Sequence, residues 1–197
     1  AEYCGEKTYS TVQPARFKLD GVMLDCSRNG VMKLDVVKKF IRYMAIMGLD
    51  TLMLYTEDTY EIKEYPYFGR MRGRYTEAEL REMDDYADAL GIELIPCIQG
   101  LTHLERALQW GIEFGAFSDT NDILLVGEEK TYEFIEAALK TCASCFRSKR
   151  INLGMDEAHG LGRGRYEALH GIVKRSDIML EHLNVVPELC KTHALAP

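Results

Sequence analysis

Short apolar runs alternate along the chain with longer amphipathic segments. Four of these runs predict buried β-strands: Val22–Cys26, Thr51–Tyr55, Glu93–Ile98 and Ile151–Gly154. Strands that alternate with helices at this frequency pair in parallel through right-handed crossovers, so the pattern predicts an α/β fold. The pattern alone leaves two architectures open, a doubly wound sheet and a (β/α)8 barrel.

Helix signals lie between the predicted strands. After the first strand, apolar positions recur at helical spacing up to Gly48, which favours a C-terminal cap. Thr76 and Glu79 form a capping-box pattern that opens a second helix. A last helix is predicted from about Ser176 to Cys190, and Pro187 should kink or end it.

The glycines do not form a nucleotide-binding signature. No predicted strand is followed by a Gly-x-Gly-x-x-Gly turn or by a Gly-Lys-Ser/Thr loop, which disfavours a doubly wound nucleotide-binding domain. The Gly-rich stretch Gly160–Gly164 lacks the lysine and hydroxyl that such a loop needs, so it is predicted to be a flexible loop.

Polar side chains follow every predicted strand. In a barrel the carboxyl ends of the strands meet at one face, where active sites are assembled. One such residue alone is usually a solvated loop residue, but their recurrence at the same point of four units predicts a shared site. The candidates, in chain order, are Arg28, Glu57, Asp58, Gln99, His103, Asp156 and Glu157.

The adjacent carboxylates Asp156 and Glu157 suggest glycosidase chemistry. Two neighbouring acids divide the work when their surroundings push their pKa values apart, so that one donates a proton while the other stays ionised. Most retaining glycosidases need two carboxylates on opposite sides of the sugar. Consecutive residues suit instead the substrate-assisted exception, in which the acetamido oxygen of the sugar is the nucleophile.

Four segments resemble motifs of glycoside hydrolase family 20, the β-N-acetylhexosaminidases. Leu24–Arg28 resembles the first-strand motif, and Glu57-Asp58 stands where the family has a second-strand Asp-Asp. Pro96–Glu105 resembles the third-strand motif with the active-site histidine, in the branch that carries Gln where others carry Asp. Gly154–Glu157 resembles the Gly-x-Asp-Glu signature. The matches occur in the family's order, from about Leu19 to Gly162.

The resemblance implies a role for each acid of the pair. Glu157 would protonate the glycosidic oxygen and later activate water. Asp156 would orient and support the 2-acetamido group as it closes to an oxazolinium intermediate. The expected activity is that of a retaining exo-β-N-acetylhexosaminidase, with a product of β configuration.

The resemblance also implies how the sugar is held. Arg28 would bind the hydroxyls of the terminal sugar, and His103 with Asp58 or Glu57 would orient and tune Glu157. No metal or organic cofactor is expected. The partners are glycans that end in N-acetylhexosamine, and the choice between N-acetylglucosamine and N-acetylgalactosamine stays open.

The chain carries four strand-helix units, whereas an eight-unit barrel takes roughly 200 to 250 residues or more. We therefore expect residues 1–19 to be a lead-in segment and residues 20–197 to form the N-terminal half of a catalytic barrel. Half a barrel has open edges, which predicts self-association or a second chain that completes it. An inactive or merely sugar-binding fragment is the alternative function.

Composition narrows the class of partner. The net charge of −7 comes from interleaved acids and bases without a basic stripe, so nucleic acid is not an expected partner. No apolar run reaches the roughly 20 residues that span a bilayer, so no membrane partner is expected either. The loop 60–75 mixes tyrosines and arginines; either it contacts further sugars or it packs over the barrel rim.

The six cysteines are widely spaced, and several lie in apolar segments. This pattern is unlike a disulfide framework, and Cys142 and Cys145 lack the second pair that a zinc site needs. Buried reduced thiols, and with them a cytoplasmic location, are expected.

Overall fold

The computed structural model describes residues 10–12, 14, 16–28 and 30–197; Cys4 and much of the expected lead-in lie outside these ranges. A single parallel sheet runs through them in the order β1-β2-β3-β4. The prediction of four parallel neighbours in chain order is confirmed. The strands are Gly21–Asp25 (β1), Thr51–Tyr55 (β2), Glu93–Gln99 (β3) and Asn152–Gly154 (β4).

Helices pack on the outer face of this sheet. They are Leu34–Met47 (α1), Glu77–Asp88 (α2), Glu105–Leu108 (α3), Gly111–Phe114 (α4), Glu129–Cys145 (α5), Arg165–His170 (α6) and Arg175–Thr192 (α7). The hydrophobic core lies between the two layers, where the outward side chains of the central strands, such as Leu52, Leu94 and Ile98, are buried.

Two predicted helix boundaries are confirmed in atomic detail. The Thr76 hydroxyl accepts the Glu79 backbone N–H, and the Glu79 carboxylate accepts the Thr76 N–H, which is a complete capping box at the start of α2. Gly48 follows α1 in the left-handed region, with φ of 80°.

Pro187 does not end the last helix, which continues to Thr192. The proline removes one backbone donor, but Val186 and Cys190 on either side of it are buried in the core. Packing of this face holds the helix together past the proline.

The stretch Gly160–Gly164 is a loop, as predicted, and hydrogen bonds to Asp119 anchor it. The Asp119 carboxylate accepts the N–H of Gly162 at 2.9 Å and the N–H of Tyr166 at 2.7 Å. A Cβ on Gly164 would lie 2.0 Å from the Asp119 carbonyl oxygen, so glycine is needed here for close backbone approach. The segment then enters α6, which the sequence pattern had not predicted.

The loop 60–75 packs over the outer core rather than standing free. Tyr60 and Phe68 are buried with ring centroids 5.0 Å apart in an edge-to-face contact, and Tyr75 is buried beside them. These three aromatic residues are thus part of the packed structure, while Arg72 reaches the rim of the site.

None of the helices in the described part of the chain has both the length and the apolar character needed to cross a membrane. Cys26, Cys97, Cys142, Cys145 and Cys190 are all free and buried.

Candidate active site

Asp25, the last residue of β1, shapes the turn that presents Arg28. Its Oδ1 accepts the Ser27 N–H and hydroxyl at 2.8 Å and the Arg28 N–H at 3.2 Å. Burial raises the pKa of Asp25, but these hydrogen bonds outweigh that effect and the net pKa is lowered. The carboxylate stays ionised and locks the turn, so that the Arg28 side chain extends over the carboxyl ends of the strands.

The two acids after β2 have different surroundings. Glu57 turns toward the sheet end, where its Oε1 lies 3.3 Å from Arg28 Nε and accepts the Tyr55 hydroxyl at 3.0 Å. Asp58 is only 1% exposed and pairs with Arg72 Nε at 3.1 Å. Burial raises the pKa of Asp58, and Arg72 opposes that rise. Glu57, and not Asp58, therefore belongs to the cluster at the strand ends.

His103, after β3, connects the arginine to the carboxylate pair. Arg28 Nη2 lies 3.3 Å from His103 Nδ1, and because a guanidinium only donates, Nδ1 accepts and the proton of the neutral ring sits on Nε2. That Nε2 lies 3.5 Å from both Asp156 Oδ2 and Glu157 Oε2. The imidazole N–H is thus directed between the two acids.

The carboxylate pair after β4 is fixed by contacts with the β3 loop. The Thr102 hydroxyl donates to the Asp156 carbonyl at 2.6 Å, and the Gly100 N–H donates to the Gly154 carbonyl at 2.9 Å. A Cβ on Gly154 would lie 2.2 Å from Gln99 Oε1. The glycine before the acids is therefore required by the Gln99 side chain, which fills the space beside it.

Backbone strain is concentrated at these strand ends. Glu57, His103 and Glu157 have φ values of 40°, 56° and 54°, and they are three of the five described non-glycine residues with positive φ. Each such residue costs on the order of 1 to 3 kcal/mol and persists only where its surroundings hold it. Each of the three carries a polar group into the same cluster.

Two cavities adjoin the cluster and share Arg28. One, of about 310 Å³, is lined by Met23, Asp25, Arg28, Tyr55, Asp156 and Glu157. The other, of about 370 Å³, is lined by Arg28, Glu57, Arg72, His103, Glu105, Arg106 and Asp122. The side chains of Asp156 and Glu157 remain 68% and 64% exposed, so the first cavity is open on its far side.

The described residues contain no group of three or more His, Cys, Asp or Glu side chains placed to hold a metal ion.

Tyr55 and Arg72 were not singled out as site residues by the sequence. Tyr55 is detectable by strand parity, because it shares the inward face of the sheet with Asp25 and Gln99 at neighbouring strand ends. Arg72 lies in an irregular loop and gives no comparable signal.

Four parallel strand-helix units with Arg28, His103 and several carboxylates at the carboxyl ends of the strands are typical of part of an α/β barrel, whose active site is assembled at that end. Residues 17–182 match the model of the catalytic domain of glycosyl hydrolase family 20, and the chain belongs to this family.

Two relatives in sequence are named as β-hexosaminidases. "Beta-hexosaminidase 3" of Arabidopsis thaliana is 28% identical over 162 residues, covering 77% of this chain and 30% of the relative. "Beta-hexosaminidase" of Vibrio furnissii is 29% identical over 178 residues, covering 72% and 29%. The chain thus spans less than a third of the length of these relatives.

Solved structures show the same fold. The family 20 exo-β-N-acetylglucosaminidase of Vibrio harveyi, in complex with N-acetylglucosamine, superposes with a TM-score of 0.78 at 20% identity, covering 91% of this chain and 35% of that one. A chitobiase of Flavobacterium johnsoniae gives 0.77 at 22% identity, covering 91% and 31%. The barrel alternative is confirmed over the doubly wound sheet, and the chain contributes four of the barrel units.

Proposed function

We propose that this chain provides the first half of the catalytic site of a retaining exo-β-N-acetylhexosaminidase, which removes terminal N-acetylhexosamine from glycans. The observation that carries the proposal is the pair Asp156-Glu157, with His103 Nε2 at 3.5 Å from each acid. Both carboxylates come from one strand end and approach a bound sugar from the same side.

This one-sided arrangement favours acetamido participation. A protein nucleophile would need a second carboxylate across the sugar ring from the acid, whereas an acetamido oxygen attacks the anomeric carbon from within the substrate. Asp156 would stabilise the positive charge that develops on the amide as the ring closes. Glu157 would give its proton to the leaving oxygen and then take one from water.

Arg28 and Glu57 would hold the terminal sugar. Arg28 is half exposed, so its guanidinium offers donors toward the cavity that contains Asp156 and Glu157, while Glu57 offers acceptors. Neighbouring hydroxyl groups of a sugar both donate and accept hydrogen bonds. One hydroxyl can therefore accept from Arg28 while the next donates to Glu57.

The open side of the site supports a second proposal, that further strands cover it. Among the described residues, β1 and β4 each have one strand neighbour, and Met23 on the inward face is half exposed. We propose that the 197-residue chain alone binds sugars weakly at most, and that a second chain, a second copy or further strands complete the barrel.

The location is a separate proposal. Five free, buried cysteines are the state expected in a reducing compartment, which supports a cytoplasmic protein.

Hydrolysis of aryl glycosides tests the function. Nitrophenyl N-acetyl-β-glucosaminide should be cleaved, and the corresponding β-glucoside should be essentially inert because it lacks the acetamido nucleophile. Comparable rates on both substrates would show that the nucleophile belongs to the protein. The N-acetyl-β-galactosaminide, measured in parallel, decides the preference at the fourth hydroxyl.

Light scattering tests the incomplete barrel. The 197-residue chain should form dimers or larger species as its concentration rises, because unpaired strand edges and apolar surface are exposed. A stable monomer at high concentration would contradict this expectation.

A further inference from the structure

The hydroxyl of Tyr55, the last residue of β2, lies between two polar side chains of the site. It is 3.0 Å from Glu57 Oε1 and 2.9 Å from Gln99 Nε2. An ionised carboxylate only accepts and an amide nitrogen only donates, so the phenol proton points to Glu57 and its oxygen accepts from Gln99. The direction of each hydrogen bond in this chain of three groups is therefore fixed.

Gln99 is itself held in place. Its side chain is 4% exposed and occupies the space beside Gly154, where a Cβ would lie within 2.7 Å of its amide atoms. Its Oε1 is buried without a hydrogen-bond partner among the described residues. A buried acceptor without a partner is costly and calls for a reason. Here the amide nitrogen of Gln99 faces the Tyr55 hydroxyl, and this orientation leaves Oε1 on the side without a partner.

The ring of Tyr55 supports the other half of the ion pair. The guanidinium carbon of Arg28 lies 5.8 Å from the ring centroid, within the range of a cation–π contact. Tyr55 thus touches both Arg28 and Glu57, which pair with each other at 3.3 Å. Burial, with the neighbouring Glu57, raises the pKa of Tyr55 to about 12, so the hydroxyl remains a donor throughout the working pH range.

We propose that Tyr55 is a positioning residue, which holds Arg28 and Glu57 in the arrangement that receives the terminal sugar, and that Gln99 sets the direction of its hydroxyl. The sugar-binding part of this inference rests on the proposed function. Tyr55 lines the same cavity as Asp156 and Glu157, so its ring and hydroxyl are placed next to a bound sugar.

Three variants and one control test the proposal in the active form of the protein. Tyr55→Phe removes the hydroxyl and keeps the ring; Gln99→Met removes the amide and keeps the volume; the third variant combines both. The matched control is Tyr86→Phe in the outer helical layer. The ring of Tyr86 also lies near an arginine, with the guanidinium carbon of Arg42 6.0 Å from the ring centroid, and its hydroxyl accepts from Arg42 at 2.8 Å.

Tyr55→Phe should lower kcat/KM for nitrophenyl N-acetyl-β-glucosaminide by about 10-fold to 100-fold, as expected for the loss of a hydrogen bond to a charged group. Most of the loss should appear in KM, because ground state and transition state use the same sugar-binding groups. The double variant should be no worse than Tyr55→Phe alone, since Gln99 acts through the hydroxyl. Tyr86→Phe should match the wild type.

If the losses in kcat/KM of the two single variants multiply in the double variant, Gln99 does not act through the Tyr55 hydroxyl, and the proposal is overturned. A loss in kcat/KM for Tyr55→Phe no larger than that for Tyr86→Phe would also overturn it. The same holds if the losses in kcat/KM simply follow the thermal midpoints of the variants, because the effect would then be one of stability.

A spectroscopic measurement keeps this inference separate from the proposed function. In protein labelled with ¹³Cζ-tyrosine, the Tyr55 resonance is identified by its absence from Tyr55→Phe. It should move in both Glu57→Gln and Gln99→Met and stay unchanged in Tyr86→Phe. If the wild type fails to hydrolyse N-acetylhexosaminides, the proposed function fails, while this resonance still decides whether Tyr55 joins Gln99 to Glu57. A resonance unmoved by both variants would overturn the inference.

Discussion

The two ends of the sheet both carry clusters of charge, and the clusters are built differently. At the amino end, Arg147 contacts three aspartates of α2, which are Asp84, Asp85 and Asp88. Arg150 pairs with Glu93. At the carboxyl end Arg28 pairs with Glu57, and His103 lies 3.5 Å from both Asp156 and Glu157.

The backbone differs in the same way. No residue of the amino-end ion pairs has a positive φ, whereas three residues of the carboxyl-end cluster do. The amino end joins helices and strands with mostly exposed pairs, which contribute little each. The carboxyl end holds three strained residues that carry polar groups into one place, as expected of a site that is completed by a ligand.

The largest effect should come from the carboxylate pair. Glu157→Gln should reduce hydrolysis of substrates with poor leaving groups by about 10² to 10⁴-fold, because no proton reaches the departing oxygen. An activated aryl leaving group should restore much of the first step. Asp156→Asn should not be rescued in this way, because its defect lies in the support of the acetamido group. Equal rescue of both variants would contradict the assignment.

Smaller effects are expected at the two acids after β2, where Glu57 should affect substrate binding and Asp58 should affect stability. Glu57→Gln should weaken substrate binding by about 10-fold to 100-fold, because a charged partner of Arg28 is lost. Asp58→Asn should instead lower the free energy of unfolding by about 1 to 3 kcal/mol, because Arg72 loses its buried partner. Urea unfolding and KM, measured on both variants, check this division. The opposite pattern would place Asp58 in the site.

The stability of the β3 loop should depend on pH through His182. This buried residue of α7 contacts the Gly100 carbonyl at 3.0 Å, and burial lowers its pKa, only partly offset by that contact. Its folded pKa lies below the unfolded value of about 6.5, so its contribution is present above pH 6.5 and is lost as the pH falls through the lowered pKa. The slope from this one proton is at most about 1.4 kcal/mol per pH unit.

Urea unfolding at several pH values tests the His182 contribution. His182→Gln keeps a donor for Gly100 but does not titrate, so its stability should fall less with acidification than that of the wild type. Parallel pH dependences would show that other groups dominate.

The smallest effect is expected at the amino end. Arg150→Gln breaks an exposed pair with Glu93 and should cost roughly 0 to 1 kcal/mol, less at high salt, with kcat/KM unchanged. Thermal melts at two ionic strengths and one kinetic assay check it. A kinetic defect would mean that the two ends of the sheet are coupled.

Local sequence signals predicted the framework well. The run Thr51–Tyr55 has the bounds of β2, and the capping box at Thr76 and the cap at Gly48 lie where their patterns placed them. These features depend on neighbouring residues alone. Pro187 does not end its helix, because buried contacts with distant parts of the chain stabilise the helix on both sides of it.

The proximity of the candidate residues could be predicted from their places after the strands, but their mutual contacts could not. Strand ends gave Arg28, His103 and the acidic pair as candidates. The divergence of Glu57 and Asp58 depends on the positive φ of Glu57, which a sequence pattern does not encode. Tyr55 was overlooked because a tyrosine at the end of an apolar strand looks like a core residue until its hydroxyl partners are known.

Binding of N-acetylglucosamine tests the central claim most directly, that the carboxyl end of the sheet receives a terminal N-acetylhexosamine. In ¹⁵N-labelled active protein, the sugar should shift the backbone amides of Arg28, Glu57, His103 and Glu157 and leave those of Glu93 and Arg150 unchanged. Glucose at the same concentration should produce much smaller shifts. Shifts centred on the amino end, or equal responses to both sugars, would contradict the account.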